Sequence, residues 1–320
     1  MATAIEAPAA AGGPVQHTPF RFEAAAKEAR PVRAVLDGPP GSGRTLTALR
    51  MAAALGENIA VIDTERGRSR QYADQIPFRV TELASFHPNN LSLALYAASE
   101  HDVVVIDCWS AFWSGPAGHL EQVDLAAQRG GSNGTSFGWR EMRPLERQML
   151  EAVMCFPGHV VATLRDKVEV VLRTDAQGRQ VPTRVGLRPE QQSSIEYEVD
   201  FAASMLPTHE LVVTKSTLPA FANEVLDDAA AVGKELGAWS EEGVPRGPRA
   251  DFLQRTYDPE ATYESLSALM KEVEYCRGAG MAAIDYKGDA ATLSDVISFR
   301  LRRARKHQQA ASSSASGSVA

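Results

Sequence analysis

Apolar runs of five or six residues recur from Pro31 to about Ser216, and the segments between them place apolar residues at helical spacing. VRAVLD (32–37), NIAVID (58–63) and DVVVID (102–107) read as strands, and the continuous apolar character of HVVATL (159–164) suits a buried parallel strand. FRVTEL (78–83), YEVDFAASML (197–206) and HELVVTKST (209–217) read as further strands. TLTALRMAAALG, ending on the stop signal Gly56, reads as a helix, as do Asn89 to Ser99 and Gly138 to Met154. This alternation predicts an α/β fold, with a mainly parallel central sheet flanked by helices. VEVVLRTDAQGRQVPTRVGL adds two extended arms around a polar turn, a β-hairpin signal. Beyond Phe221 the spacing turns helical and predicts a small C-terminal region, whose packing the pattern does not assign.

Composition narrows the class. At 44% hydrophobic and 23% charged residues over 320, the chain reads as an ordinary soluble globular protein. No apolar run approaches the roughly 20 residues of a membrane span, and the first residues lack the basic and apolar parts of a secretory signal. The net charge of −7 (33 basic against 40 acidic residues) argues against a chain that coats nucleic acid uniformly and leaves room for a local basic patch. Cys108, Cys155 and Cys276 lie far apart without a C-x-x-C pair, so a reducing cytoplasm is the expected setting. His87, His101, His119 and His159 show no metal spacing and receive no role.

The chemistry starts at DGPPGSGRT (37–45), which meets the phosphate-loop pattern G-x-x-x-x-G-K-[ST] at Gly38, Gly43 and Thr45, with Arg44 in the lysine position. Strand, glycine loop and helix come in the order a phosphate cradle needs. Glycines 38, 41 and 43 let backbone N–H groups turn inward, and the helix start adds its positive dipole end. Pro39, Pro40 and Ser42 complete the loop, and the Thr45 hydroxyl is a candidate magnesium ligand. A plain strand-to-helix turn is the simpler alternative. VVVID ends on Asp107, a carboxylate delivered to the tip of an apolar strand where α/β sheets bind ligands and where it can hold magnesium; a strand-capping Asp is the alternative. AVIDTERG places Asp63 and Glu65 after another strand, as candidate bases for a water attacking a γ-phosphate.

In order and spacing GPPGSGRT, VIDTERG, VVVID and VVATLRDK resemble the nucleotide-binding core of RecA-like ATPases. VIDTERGRSRQYAD, the Trp139 and Pro144-x-Glu146 features, HVVATLRDKVEVV, VGLRPEQQSSIEYEVDFA and VVTKS narrow the likeness to the phage-type AAA/RecA-like P-loop ATPase family, some members of which anneal single strands. The resemblance covers residues 31 to 220. It implies ATP and Mg2+ as cofactors, Gly38 to Thr45 for phosphates, Glu65 as catalytic carboxylate and Asp107 for the metal. It also implies Thr163 and Arg165 in a strand-end sensor region, and Lys215 offering a cation to a neighbouring subunit of a homo-oligomer. The divisions expected are a disordered or loosely attached arm over 1–30, a nucleotide-binding domain over 31–220, a helical region over 221–307 and a disordered tail over 308–320.

Arg44 departs from the family pattern. A guanidinium keeps the positive charge, but its planar fork does not substitute for a compact ammonium, so catalysis by Arg44 is an open question beside binding. The function expected is an ATPase acting on single-stranded DNA in phage or mobile-element recombination or annealing, with no membrane partner. The alternatives are a nucleotide-binding recombination module with negligible hydrolysis, and a small-molecule kinase, for which no acceptor-binding lid is recognisable. Two stretches are candidates for nucleic acid. RLRRARKH (300–307) offers Arg300, Arg302, Arg303 and Arg305 to phosphates, or is equally a solvated helix end. QRGGSNGTSFGW, flanked by Trp109, Trp113, Phe137 and Trp139, reads either as a mobile loop with stacking aromatics or as ordinary core aromatics.

Overall fold

The computed structural model describes residues 24–174, 180–191, 195–245 and 251–316. The two-residue β1 (Glu28–Ala29) leads to β2 (Arg33–Gly38), α1 (Arg44–Leu55), β3 (Ile59–Asp63), β4 (Arg79–Glu82), α2 (Pro88–Ala97), β5 (Val103–Asp107) and the short α3 (Ser110–Ser114). Next come α4 (His119–Ala127), α5 (Gly134–Met154), the long β6 (His159–Thr174), β7 (Gln180–Pro189), α6 (Ile195–Glu198), β8 (Phe201–Met205) and β9 (Leu211–Ser216). The remainder holds β10 (Val225–Leu226), α7 (Ala229–Glu241), β11 (Val244–Pro245), α8 (Asp251–Tyr257), α9 (Tyr263–Tyr275), β12 (Ala282–Ile284), β13 (Ala290–Thr292) and α10 (Leu293–Ser316).

The sheet runs β10-β9-β8-β2-β6-β5-β3-β4, parallel from β8 through β4 and antiparallel at β8-β9-β10. The expected α/β architecture is therefore present. Alternate residues of each central strand feed opposite cores. Val103 and Val105 join Leu36, Leu49 and Val161 on the α1 face, whereas Val104 and Ile106 join Ile62, Phe112 and Val153 on the α5 face. Continuous apolar strands are the direct consequence of burying both faces. β6 continues past the sheet and pairs antiparallel with β7, the expected hairpin; its turn, 175–179, lies outside the described residues.

Two boundaries differ from the sequence reading. α7 belongs to the sheet's own helical layer: Val232 and Leu236 share a core with Leu49 and Met51, and a Cβ on Gly233 would stand 2.6 Å from the Met51 carbonyl oxygen. α10 runs on through residue 316, into the stretch expected as a disordered tail. The expected N-terminal arm falls mostly on residues 1–23, outside the described residues. The C-terminal region has a small core of its own, in which Phe252, Leu269, Val273 and Ile297 meet Cys155 at the end of α5.

The glycine-rich stretch before Trp139 is not an open loop. Residues from Gly134 form the first turns of α5, and its glycines allow helices to touch: a Cβ on Gly138 would sit 2.3 Å from the Val123 carbonyl oxygen, and one on Gly134 2.5 Å from that of Ala127. The glycines serve close packing here rather than mobility.

Candidate functional site

β2 ends where its chain must turn sharply into α1, and the glycines make that turn. Gly41 and Gly43 have φ of 85° and 86°, in the left-handed region that L side chains rarely adopt. At Gly38 the limit is space, because a Cβ would lie 2.9 Å from the Met205 carbonyl oxygen. No side chain caps the start of α1, so its first-turn N–H groups face the loop with the helix dipole behind them. The Ser42 hydroxyl is fully buried without a hydrogen-bond partner. A cleft of about 530 Å³ opens in front of this turn, lined by loop residues together with Arg50, Arg68, Tyr72 and His209.

Asp107 is held at the tip of β5, where Thr45 Oγ1 donates to its Oδ2 at 2.8 Å and Thr163 Oγ1 to its Oδ1 at 2.6 Å. Three residues separated by more than fifty positions each are thus joined by one carboxylate. Burial pushes the Asp107 carboxyl above the ordinary range, with the two hydroxyls opposing that rise. A carboxylate in so dry a place, facing a threonine hydroxyl, suits a small hard cation with oxygen ligands. The residues therefore fit a magnesium nucleotide, with Thr45 and Asp107 as the groups that would hold the metal. Among the described residues there is no cluster of three or more His, Cys, Asp or Glu side chains that could hold a metal ion.

The two acids after β3 divide their roles. Asp63 is fully buried, and its Oδ1 accepts from the backbone N–H of Glu65 at 2.7 Å and of Gly67 at 3.2 Å. Its Oδ2 accepts from Ser69 N at 3.1 Å and from the Ser69 hydroxyl. Asp63 shapes the turn, leaving Glu65 as the carboxylate available for chemistry. Glu65 Oε1 takes both Nε and Nη2 of Arg165, at 3.0 and 2.6 Å, and Arg68 stands 3.7 Å from its Oε2.

Arg44 turns back on its own loop. Its Nη1 donates to the Gly38 carbonyl and, at 2.9 Å, to that of Pro39. One guanidinium nitrogen thus bridges two carbonyl oxygens of the loop. Beneath the loop, Ser204 Oγ donates to Asp37 Oδ2 at 2.8 Å, and burial, reinforced by Asp166 and Glu196, pushes the Asp37 carboxyl up to about 7. His209 accompanies the loop from the other side, with Nδ1 2.9 Å from the Ser42 carbonyl oxygen. Sequence reasoning missed Asp37, Ser204 and His209; the first two carried one signal, a polar residue near the end of an otherwise apolar strand, and His209, in the turn between β8 and β9, carried none.

The remaining candidates lie elsewhere. Lys215 Nζ caps α6, donating to the Tyr197 carbonyl oxygen at 2.9 Å as well as to that of Glu196. Arg300 donates to the carbonyl oxygens of Thr256 and, at 2.7 Å, Asp258, so it closes the end of α8 instead of facing solvent as a phosphate contact. Arg302, Arg303 and Arg305 are exposed on α10. No described helix is long and apolar enough to cross a membrane.

Comparison with known proteins bears on this site. No curated protein sequence matches the chain. Among solved structures it is similar to a prototypical ATPase from the type III secretion system of pathogenic bacteria, at 13% identity and a TM-score of 0.29, over 84% of this chain and 79% of that one. That likeness is too loose to bear on function. A family model described as an AAA domain matches residues 30–221, the segment that carries the glycine loop, Glu65, Asp107, Thr163, Arg165 and Lys215. Because that match spans more than half of the chain, the protein belongs to the AAA-domain family, whose nucleotide-binding fold is the one described above.

Proposed function

We propose that the protein hydrolyses ATP and that it does so on single-stranded DNA, in recombination or annealing of phage or mobile-element DNA. The observation that carries the ATPase half is the Thr45–Asp107–Thr163 chain of hydrogen bonds at the mouth of the glycine loop, with Glu65 fixed nearby. Backbone N–H groups of the loop and α1 bind the phosphates, and Arg44 supplies positive charge to them once it leaves the Gly38 and Pro39 carbonyls. Magnesium, when bound, neutralises charge on the β- and γ-phosphates. Glu65 orients the attacking water, which requires that it release Arg165. Arg165, set free, is a cation at the same strand end for charge developing on the phosphates. The DNA half is supported by the resemblance of the IEYEVD and VIDTERG blocks to the phage-type ATPases.

The second reading, nucleotide binding with negligible hydrolysis, is favoured by the Arg44 bridge to the loop carbonyls. Steady-state ATP hydrolysis measured with and without single-stranded DNA separates the two. Turnover stimulated by DNA supports the first reading, binding without turnover replaces it by the second, and failure to bind ATP removes both.

A further inference from the structure

A second cleft, also of about 530 Å³, lies beside α5 and shares no lining residue with the nucleotide cleft. Trp139, Arg143 and Glu146 reach it from one face of α5 at i, i+4 and i+7 spacing, Trp113 from α3, and Lys167 and Arg188 from the paired strands β6 and β7. Resting on the reading of the protein as an ATPase of single-stranded DNA, we propose that this cleft is where the strand sits, an unpaired base against Trp139 and the adjoining phosphates on Arg143, Lys167 and Arg188.

Three observations converge. The first is the aromatic floor: the Trp113 and His119 rings stack at 5.2 Å and 19°, and Trp139 tilts across both, 38% exposed, with its centroid 6.2 Å from that of Trp113. A large indole left in the open and backed by two further rings is a stacking platform that every base can use. The second is a set of buried polar atoms without hydrogen-bond partners. Trp109 Nε1 and Glu146 Oε1 are among them, and both residues line a small annex beside Trp113. Trp109 is 1% exposed, so the annex offers a buried N–H donor beside a carboxyl oxygen of Glu146 that accepts no hydrogen bond. With about 10 Å³ of room the annex takes no more than a water, which would link these two groups to a base lying in the cleft outside. The third is charge, since Arg143, Lys167 and Arg188 line a cleft whose acidic members are Glu146 and Glu196, in a protein of net charge −7.

The test uses the full chain with ATP and magnesium, and a fluorescein-labelled oligothymidylate whose anisotropy is followed at several salt concentrations. Trp139→Ala is expected to weaken binding by about tenfold or more and Trp139→Phe by less than about threefold, since a phenyl ring still stacks. Arg143→Ala with Lys167→Ala should reduce the slope of log affinity against log salt by about 1 to 2. Thermal melts like the parent's establish that each variant is folded, and the Arg143→Ala, Lys167→Ala variant keeps the test valid if Trp139→Ala is not. If the parent binds and the folded variants bind equally well, the cleft is not the site, while the DNA reading stands. If the parent binds no single strand, the DNA reading itself falls and the cleft proposal falls with it.

Discussion

The two clefts solve the problem of holding a charged ligand in opposite ways. The nucleotide cleft works mainly through backbone: glycines at φ 85° and 86°, an uncapped helix start and strand-tip side chains already locked by hydrogen bonds. The cleft beside α5 works through side chains from three helices and a hairpin, and an oxygen of one of them, Glu146, has no hydrogen-bond partner. A backbone cradle is specified by a short run of sequence and tolerates little change. A side-chain cleft is specified by packing between distant elements.

The largest expected effect tests whether the first cleft is as rigid as this contrast requires. Glu65→Gln should lower ATP turnover by about 10² or more while nucleotide affinity stays within about twofold, because the loop that binds phosphate is untouched. Unchanged turnover would remove Glu65 from the chemistry. Asp107→Asn should instead weaken magnesium-dependent binding, read by nucleotide titration with and without the metal.

Next comes Arg44, the one loop position where a side chain intervenes between backbone groups. Arg44→Lys should raise turnover by about tenfold, equivalent to roughly 1.4 kcal/mol of transition-state stabilisation, with little change in affinity. Arg44→Ala should weaken binding. A slower lysine variant would mean that the loop is built around its arginine and that the contrast with a backbone cradle is too sharp.

A smaller effect concerns pH. Asp37 has its carboxyl raised to about 7 in the folded protein, above the 3.8 of an unperturbed aspartate. The folded state therefore holds an extra proton between those values. The stability this contributes is complete below about pH 4 and is lost as pH rises through about 7. Asp37→Asn should flatten the fall in melting temperature between pH 4 and 7, and an unchanged slope would place the titration elsewhere.

The smallest effect is expected on α10. With Arg300 engaged at the end of α8, converting Arg302, Arg303 and Arg305 together to Gln should change single-strand affinity by less than about twofold. A large loss, with a flatter salt dependence, would move the DNA surface to α10 and leave the aromatic cleft without its proposed ligand.

What could be read in advance follows the same division. The sheet, the glycine loop and the meeting of Thr45 with Asp107 were legible, because the parallel architecture sends every strand tip to one edge and the loop's chemistry is contiguous. The pairing of Arg165 with Glu65, one hundred positions away, was not. Nor was the seat of His209 against Ser42 or the closing of α8 by Arg300, since neither partner carries a local signal of the other. The stretch around Gly134 and Gly138 left two readings open for a specific reason. Glycine marks both a flexible loop and a close helix contact, and only the neighbouring Val123 and Ala127 carbonyls distinguish them.

The turn held by Asp63 has a consequence for time. With the Glu65, Gly67 and Ser69 N–H groups all bound to one buried carboxylate, the backbone around Glu65 is already where it must be. Moving the Glu65 carboxylate from Arg165 to a water then calls for rotation about side-chain bonds alone. Such rotations take picoseconds to nanoseconds where they are unhindered, whereas rearrangement of a loop takes far longer. Arming the site accordingly needs no rearrangement of the loop, only the parting of Glu65 from its two Arg165 donors.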